Sequence, residues 1–319
     1  MEQTIGMGRS KLFLVLGILV ILNARGISQQ PALQYSEGLL NLTVVAKNGD
    51  IIGGLKSENF SIVDGKEVHA ISFIAPQGEP STIGILIDKS GSVDTKNFFP
   101  AVARAISVFL KSDARTNEYF LMSFNTSQDL VLDFTRDKNR VHDSLQSLAK
   151  TEPKGNTAFY SALNSGFEKI VFSSNRKRAL VVVTDALDNS SDITYSRLKE
   201  RMKKSCVPVY FVSTLAKDSF SSMLGSAAIS YMQDIMSTCG GSAVYLKQND
   251  DLDRAMLQLG REIQNQYLIG FRLNTDQSET GKVGWRPIEV KVTLPKDSKI
   301  AGKPYVRVPR GYYFEKKDA

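Results

Sequence analysis

The sequence has few of the side chains that most often bind zinc or act as catalytic bases. Its 319 residues include two histidines, two cysteines and one tryptophan. Metalloprotease, P-loop and dinucleotide-binding motifs are absent from it. A serine hydrolase would need a glycine two positions before its serine and a histidine partner, but the chain has Asp88 two positions before Ser90. Only His69 and His142 are available, and we expect both to be surface residues.

The sequence also has no apolar run long enough for an ordinary membrane span, which needs about 20 residues. Its longest run, residues 12–22, follows the positive residues Arg9 and Lys11. Small residues follow at Ala24, Gly26 and Ser28, and residues 26–28 would serve as a cleavage site. We therefore predict an export signal over residues 1–28 and a mature chain that is secreted, periplasmic or in the cell envelope, with no membrane span. An uncleaved signal anchor is the alternative.

The two cysteines, Cys206 and Cys239, each lie beside a predicted strand. In an oxidising compartment they can form a disulfide. Two buried thiols are the alternative, because the sequence does not give the distance between them.

The charge of the chain is mildly basic. Forty Lys and Arg residues against 33 Asp and Glu residues give a formal net charge of +7. The basic residues are scattered, and no aromatic residues alternate with them as in a nucleic-acid-binding motif. We interpret them as a solvated surface and predict no nucleic-acid partner, with weak attraction to anionic surfaces as the alternative.

Strand and turn patterns divide the rest of the chain into three regions. Residues 29–80 show short alternating strands, residues 81–265 alternate strands with helices, and residues 266–319 return to strands. Alternating strands and helices predict an α/β fold with a doubly wound, mostly parallel sheet. The N- and C-terminal strands are expected to pack together as a small β-sandwich-like domain, with the α/β domain inserted between them.

The α/β region, residues 81–265, is organised around an apolar, β-branched run at residues 83–87, as expected of a strand buried on both faces. Oxygen-bearing side chains follow it at Asp88, Ser90 and Ser92, and Gly91 allows a sharp turn. The carboxyl end of a buried strand is where an open α/β sheet places its ligand site. Oxygen donors of this kind suit Mg²⁺, Mn²⁺ or Ca²⁺ rather than Zn²⁺.

Two more segments with oxygen-bearing side chains are predicted to reach the same edge of the sheet. Thr157 opens a helix after a glycine-containing loop, and Asp185 ends a second buried strand. Asp188 follows, and we expect it to cap a loop or support the ligands rather than bind the metal. Lys89 either adds positive charge beside the site or, more simply, faces solvent.

This order, Asp-x-Ser-x-Ser and then Thr and Asp, resembles the von Willebrand factor A-type domain and its metal-ion-dependent adhesion site (MIDAS). The resemblance implies a Rossmann-like fold and a Mg²⁺ ion, or Mn²⁺ or Ca²⁺, held by the hydroxyls and carboxylates of a five-residue set. That set is Asp88, Ser90, Ser92, Thr157 and Asp185. It further implies a protein partner whose acidic residue completes the metal's coordination. Many members have Thr-Asp-Gly at the last motif, whereas this chain has Ala186 after Asp185.

The flanking regions resemble exported bacterial proteins that carry a von Willebrand factor A-related domain. The matching residues are Gly53, Leu55, Asn59, Phe60, Asp64, Gly65, Ser72 and Phe73 before the domain, and Gln266, Tyr267, Gly270, Phe271, Trp285, Arg286, Ile288, Arg310, Gly311 and Tyr312 after it.

The predicted function is therefore metal-dependent protein binding outside the cytoplasm, and no enzymatic activity. Two alternatives remain: a non-catalytic envelope scaffold with a vestigial metal site, and a phosphatase with Asp88 as nucleophile. Aspartate-based phosphatases have a second carboxylate two positions on, where this chain has Ser90.

Overall fold

A computed structural model describes most of the chain after its first 34 residues. The described residues are 35–92, 98–112, 116–205, 207–215, 222–245, 252–274, 284–298, 300 and 302–314. The predicted export signal at residues 1–28 and Cys206 lie outside this set, so the signal and the disulfide stay predictions. Cys239 is buried. Within the described part of the chain, no helix is long and apolar enough to cross a membrane.

The described residues form fifteen strands and six α-helices. The strands are β1 (Tyr35–Val45), β2 (Phe60–Asp64), β3 (Glu67–His69), β4 (Ile71–Ile74), β5 (Ser81–Asp88), β6 (Glu118–Phe124), β7 (Gln128–Thr135), β8 (Lys177–Thr184), β9 (Val209–Ser213), β10 (Ala243–Tyr245), β11 (Tyr267–Asn274), β12 (Gly284–Pro287), β13 (Glu289–Val292), β14 (Tyr305–Arg307) and β15 (Gly311–Phe314). The helices are α1 (Phe98–Ser112), α2 (Lys138–Ala149), α3 (Phe159–Ile170), α4 (Tyr195–Ser205), α5 (Met223–Cys239) and α6 (Leu252–Gln264).

A six-stranded sheet forms the centre of the α/β region, in the order β10-β9-β8-β5-β6-β7. All neighbouring pairs are parallel except β6 and β7, which form an antiparallel pair at one edge. The prediction of a doubly wound, mostly parallel sheet is therefore confirmed. Strand β5 lies between β8 and β6, so the chain winds away from it in both directions.

Helices cover both faces of this sheet because its central strands are apolar on both sides. Ile83, Ile85 and Ile87 of β5 pack in a cluster with residues of α1, α2 and α6. Leu86 points to the other face and packs with residues of α3, α4 and α5. Every residue of β5 is buried, which explains its unbroken hydrophobic sequence.

Strands from before and after the α/β region pair with one another. Strand β1 runs antiparallel between β11 and β14, and β2 lies between β13 and β3. Their inward-facing side chains share a hydrophobic cluster that includes Leu40, Ile62, Ile269 and Tyr312. These are antiparallel strands added to the α/β fold, and the division of the chain into domains stays a prediction.

The terminal strands differ from the sequence pattern in two places. The alternating stretch at residues 66–74 is two strands, because β3 pairs with β2 whereas β4 pairs with β11 in another sheet. Strands β12 and β15, which the pattern does not show, pair with each other. The absence of a side chain at Gly311 permits this pairing, since a Cβ there would lie 2.6 Å from Cε2 of the Trp285 indole.

Candidate functional site

The candidate site lies where β5 and β8 end side by side. Asp88 is the last residue of β5 and Thr184 the last residue of β8. Because the chain winds away from β5 in opposite directions, the carboxyl ends of these strands flank a topological switch point. Open α/β sheets bind ligands at that crevice.

Asp88 is a buried carboxylate held from two sides. Its side chain is 1% exposed. Oδ2 accepts a hydrogen bond of 2.6 Å from the Thr184 hydroxyl, and Oδ1 accepts one of 2.9 Å from the Ser90 amide. Burial raises the pKa of the Asp88 carboxyl to about 6, against the opposing effect of these hydrogen bonds, and Asp185 adds a smaller rise by charge repulsion. The ionised carboxylate is thus short of compensating positive charge.

The loop after β5 presents two neighbouring hydroxyls. Ser90 is buried, Ser92 is exposed, and their Oγ atoms are 3.1 Å apart. The Gly91 amide donates a 3.0 Å hydrogen bond to the carbonyl of Gly155, in the loop that leads to α3. The loop after β5 is therefore attached to the loop before α3.

Thr157 connects that second loop to the one after β8. Thr157 is buried, and its amide donates a 2.8 Å hydrogen bond to Oδ1 of Asn189. Its carbonyl accepts hydrogen bonds from the amides of Asn189 and Ser190, at 2.9 and 3.1 Å. The loop before α3 is thus hydrogen-bonded to the loops after β5 and β8, and the Thr184–Asp88 hydrogen bond joins the ends of those two strands.

The loop after β8 contains an unusual backbone conformation. Asp185 is 5% exposed, and its Oδ1 accepts a 3.0 Å hydrogen bond from the Leu187 amide. Ala186 has a φ of 58°, and it is the only non-glycine residue with a positive φ among the residues that the structure describes. Its amide donates a 2.9 Å hydrogen bond to the Thr184 hydroxyl. The alanine therefore occupies a conformation that glycine adopts more easily.

We expect Ala186→Gly to leave the free energy of unfolding within about 1 kcal/mol of the parent value. Relief of the backbone strain at positive φ offsets the loss of a buried methyl group. Ala186→Val should lower it by about 2–4 kcal/mol, because a β-branched residue at positive φ is strained and the site is buried. Urea unfolding of the three proteins measures both changes. Equal stability of the two variants would contradict this account of the loop.

Asp188 and Lys89 have structural partners. Asp188 Oδ1 accepts hydrogen bonds from the Tyr160 amide at 3.1 Å and the Ser191 hydroxyl at 2.5 Å, so it caps the first turn of α3. Lys89 is only 6% exposed, and the expectation that it faces solvent is wrong. Its apolar stem and ammonium group pack inside the molecule.

The two histidines lie on other elements. His69, on β3, is 7% exposed and packs against Phe271, with ring centroids 5.5 Å apart. His142, on α2, is half-buried, and its Nδ1 lies 2.7 Å from the Ser107 hydroxyl. The expectation that both are surface residues is therefore wrong. Neither belongs to the three loops at the end of β5 and β8.

The donor atoms gathered at this edge suit a hard divalent cation. Among the described residues, no group of three or more His, Cys, Asp or Glu side chains is placed to hold a metal ion. The candidate set combines two carboxylates with three hydroxyls instead, and its buried Asp88 gains from a positive charge nearby. Oxygen donors with few carboxylates fit Mg²⁺, which keeps several of its own waters. The residues present therefore fit the metal that the resemblance implies.

Two positioning side chains could not be identified from the motif alone. Thr184 directly precedes Asp185 and is not one of the five candidate donors, yet its hydroxyl holds both Asp88 and the Ala186 amide. Asn189 carries no sequence signal, but it fixes Thr157 through its side chain and its backbone amide.

Solved structures similar to this chain come from several bacteria. A von Willebrand factor type A protein from Catenulispora acidiphila is 10% identical, with 88% of this chain and 75% of that chain covered and a TM-score of 0.49. The PilB minor pilin from Streptococcus sanguinis is 14% identical, with 60% and 63% covered and a TM-score of 0.48. An aerotolerance-related membrane protein from Bacteroides fragilis, with multiple mutations to serines, is 17% identical, with 57% and 98% covered and a TM-score of 0.47. This chain spans less than two thirds of the pilin.

The α/β region is thus a doubly wound sheet with oxygen-bearing side chains at its switch point. Residues 83–187 match the family model described as von Willebrand factor type A domain. The matched residues run from the central strand through the loop that holds Asp185, so this part of the chain matches the family that the motif resembles.

Proposed function

We propose that this protein is an exported, non-catalytic module that binds a protein ligand through a divalent cation at the edge of its central sheet. The hydrogen bonds that attach the loop before α3 to the loops after β5 and β8 carry the proposal, because each of these loops contains candidate donor residues. The match of residues 83–187 to the von Willebrand factor type A domain supports it, because such domains are generally interaction modules.

Each donor residue has a distinct role in this proposal. The hydroxyls of Ser90, Ser92 and Thr157 would hold Mg²⁺, or Mn²⁺ or Ca²⁺, and Asp88 and Asp185 would hold it at least partly through its waters. A metal bound mainly by neutral oxygens keeps much of its positive charge. When bound, it would therefore attract an acidic side chain of the ligand, which supplies the recognition.

Ser92→Ala is the sharpest test, because this serine is exposed and its described hydrogen bond is to the Ser90 hydroxyl. We expect the wild type to bind Mn²⁺ in calorimetry and the variant to bind it at least about tenfold more weakly, since one donor is lost. Thermal unfolding should be nearly unchanged. Ser147→Ala, at an exposed position on α2, is the matched control and should bind like the wild type.

The ligand is tested with the same proteins on beads. Wild type and Ser147→Ala should retain proteins from an envelope or secreted fraction in Mn²⁺, release them in EDTA, and lose them to competing acidic peptides. Ser92→Ala should retain little. Equal Mn²⁺ binding by Ser92→Ala and wild type would show that the metal site is misassigned. Absent Mn²⁺ binding by the wild type would favour the scaffold with a vestigial site.

The phosphatase alternative requires turnover at Asp88. Asp88 is almost fully buried and lies among hydroxyls and amides, with Asp185 as the acidic neighbour that affects its pKa. Hydrolysis of a phosphate ester that disappears in Ser90→Ala and Asp88→Asn would favour the enzyme over the binding module.

A further inference from the structure

The side chain of Lys89 crosses from the loop after β5 to two helices. Its ammonium donates hydrogen bonds to the carbonyls of Thr151 at 2.5 Å and Leu148 at 3.3 Å. The same Nζ atom lies 4.1 Å from the centroid of the Phe99 ring, in the first turn of α1. One lysine therefore connects the Asp-x-Ser-x-Ser loop to the beginning of α1 and the end of α2.

These partners suit a buried ammonium group. Leu148 is in the last turn of α2 and Thr151 lies just after it, at the end where the helix dipole is negative. The Leu148 carbonyl also accepts hydrogen bonds from the Thr151 amide and hydroxyl, at 3.1 and 2.7 Å. An aromatic face adds a further favourable contact for a cation. Burial lowers the pKa of Lys89, so these contacts offset part of its cost of desolvation.

The backbone of the same residue is held on both sides. The Lys89 amide donates a 2.6 Å hydrogen bond to the carbonyl of Phe124, the last residue of β6. Its carbonyl accepts a 3.0 Å hydrogen bond from the Lys154 amide. Backbone and side chain together attach residue 89 to α1, to α2, to β6 and to the loop before α3.

We propose that Lys89 is a positioning residue that holds Asp88, Ser90 and Ser92 in the arrangement needed to bind a divalent cation. The test of this inference by metal binding rests on the proposed function. A second test, by hydrogen exchange of the metal-free protein, does not. Supporting residues of this kind restrict the ligands to one geometry, so that binding does not have to order them.

The charge of Lys89 provides an opposing expectation. A positive charge beside a bound cation repels it, so removing the charge alone would tighten metal binding. Here the ammonium is directed at the α2 carbonyls, and the lost attachment should outweigh the lost repulsion. The two effects have opposite signs and can therefore be separated by experiment.

The test is Mn²⁺ calorimetry on Lys89→Met, which keeps an apolar stem and removes the ammonium. We expect the Kd to rise about tenfold or more, as for other residues that support metal ligands. Lys150→Met removes a charge from an exposed residue at the same end of α2. Leu198→Ala destabilises the fold from α4, which packs on the opposite face of the sheet. Both controls should keep the wild-type Kd.

Hydrogen exchange of the metal-free proteins gives the second readout. The amides of Ser90 and Gly91 are hydrogen-bonded and should exchange several-fold faster in Lys89→Met than in Leu198→Ala or wild type. A wild-type Kd, or a lower one, in Lys89→Met would overturn the inference. If the wild type binds no Mn²⁺, the proposed function fails, and unchanged exchange at these amides would then overturn the positioning role independently.

Discussion

Asp88→Asn is expected to abolish metal binding and, at the same time, to stabilise the metal-free protein. The carboxylate is buried and its pKa is raised to about 6, so its ionised form at pH 7 disfavours the fold. Since one pKa unit corresponds to about 1.4 kcal/mol, removing the charge should add about 1–2 kcal/mol to the free energy of unfolding after the altered hydrogen bonds are allowed for. Calorimetry with Mn²⁺ and urea unfolding in EDTA measure the two effects.

The pH dependence of the metal-free protein checks the physical cause. A carboxyl whose folded pKa lies above its unfolded pKa binds more protons in the folded state between those values. The contribution of Asp88 to stability therefore increases as the pH falls from 7 through 6 towards 4, and it is lost again as the pH rises through 6. In Asp88→Asn this contribution should disappear from the stability profile.

A surface carboxylate provides the control for Asp88→Asn. Asp143, on α2, is exposed, and Asp143→Asn should change neither Mn²⁺ binding nor stability beyond about 0.5 kcal/mol. If Asp88→Asn bound Mn²⁺ as tightly as the wild type, Asp88 would not belong to the metal site. If it were destabilised in EDTA, burial would not govern the energetics of this carboxyl.

Gly241→Ala is expected to have the largest effect on stability. Gly241 has a φ of 102°, and a Cβ there would lie 2.0 Å from the carbonyl oxygen of Val209. Val209 begins β9, and Gly241 leads into β10, so neither backbone can move without disturbing the edge of the central sheet. We expect a loss of about 3 kcal/mol or more, from the unfavourable φ and the clash together.

Gly49→Ala separates these two contributions. Gly49 has a φ of 89°, and a Cβ there would meet no atom within 4 Å. This variant should lose only about 1 kcal/mol, from the unfavourable φ alone. Denaturant unfolding of both variants gives the comparison. Similar losses at the two positions would indicate that the backbone at Val209 yields to the added methyl.

The places of Asp88 and Asp185 in the fold could be predicted because each lies at or just after the end of a strongly patterned strand. The apolar runs before Asp88 and Asp185 identified two buried strands, and parallel strands place their carboxyl ends at one edge. The short strands β12 and β15 were harder to predict. They are four residues long and contain proline or glycine, and β15 buries Tyr312 and Phe314 in a cluster with residues far away in the sequence.

The side chains that support the site could not be predicted in the same way. Thr184 and Asp88 are 96 positions apart in the chain, and Thr157 and Asn189 are 32 apart. Lys89 bonds to carbonyls 59 and 62 positions away. A lysine in a hydrophilic loop is normally exposed, but contacts with α1 and with the end of α2 bury this one.

The sequence by itself determined the alternation of strands and helices in the α/β region, the strand ends that the candidate donors follow, and the kind of donor that each loop offers. These properties follow from hydrophobic periodicity and from residue chemistry, which are local. Only the tertiary structure decided which loops are hydrogen-bonded to each other, that Lys89 points inward, and that Ala186 takes a positive φ. Those properties depend on contacts between residues far apart in the chain, whose positions are set by packing of the whole domain.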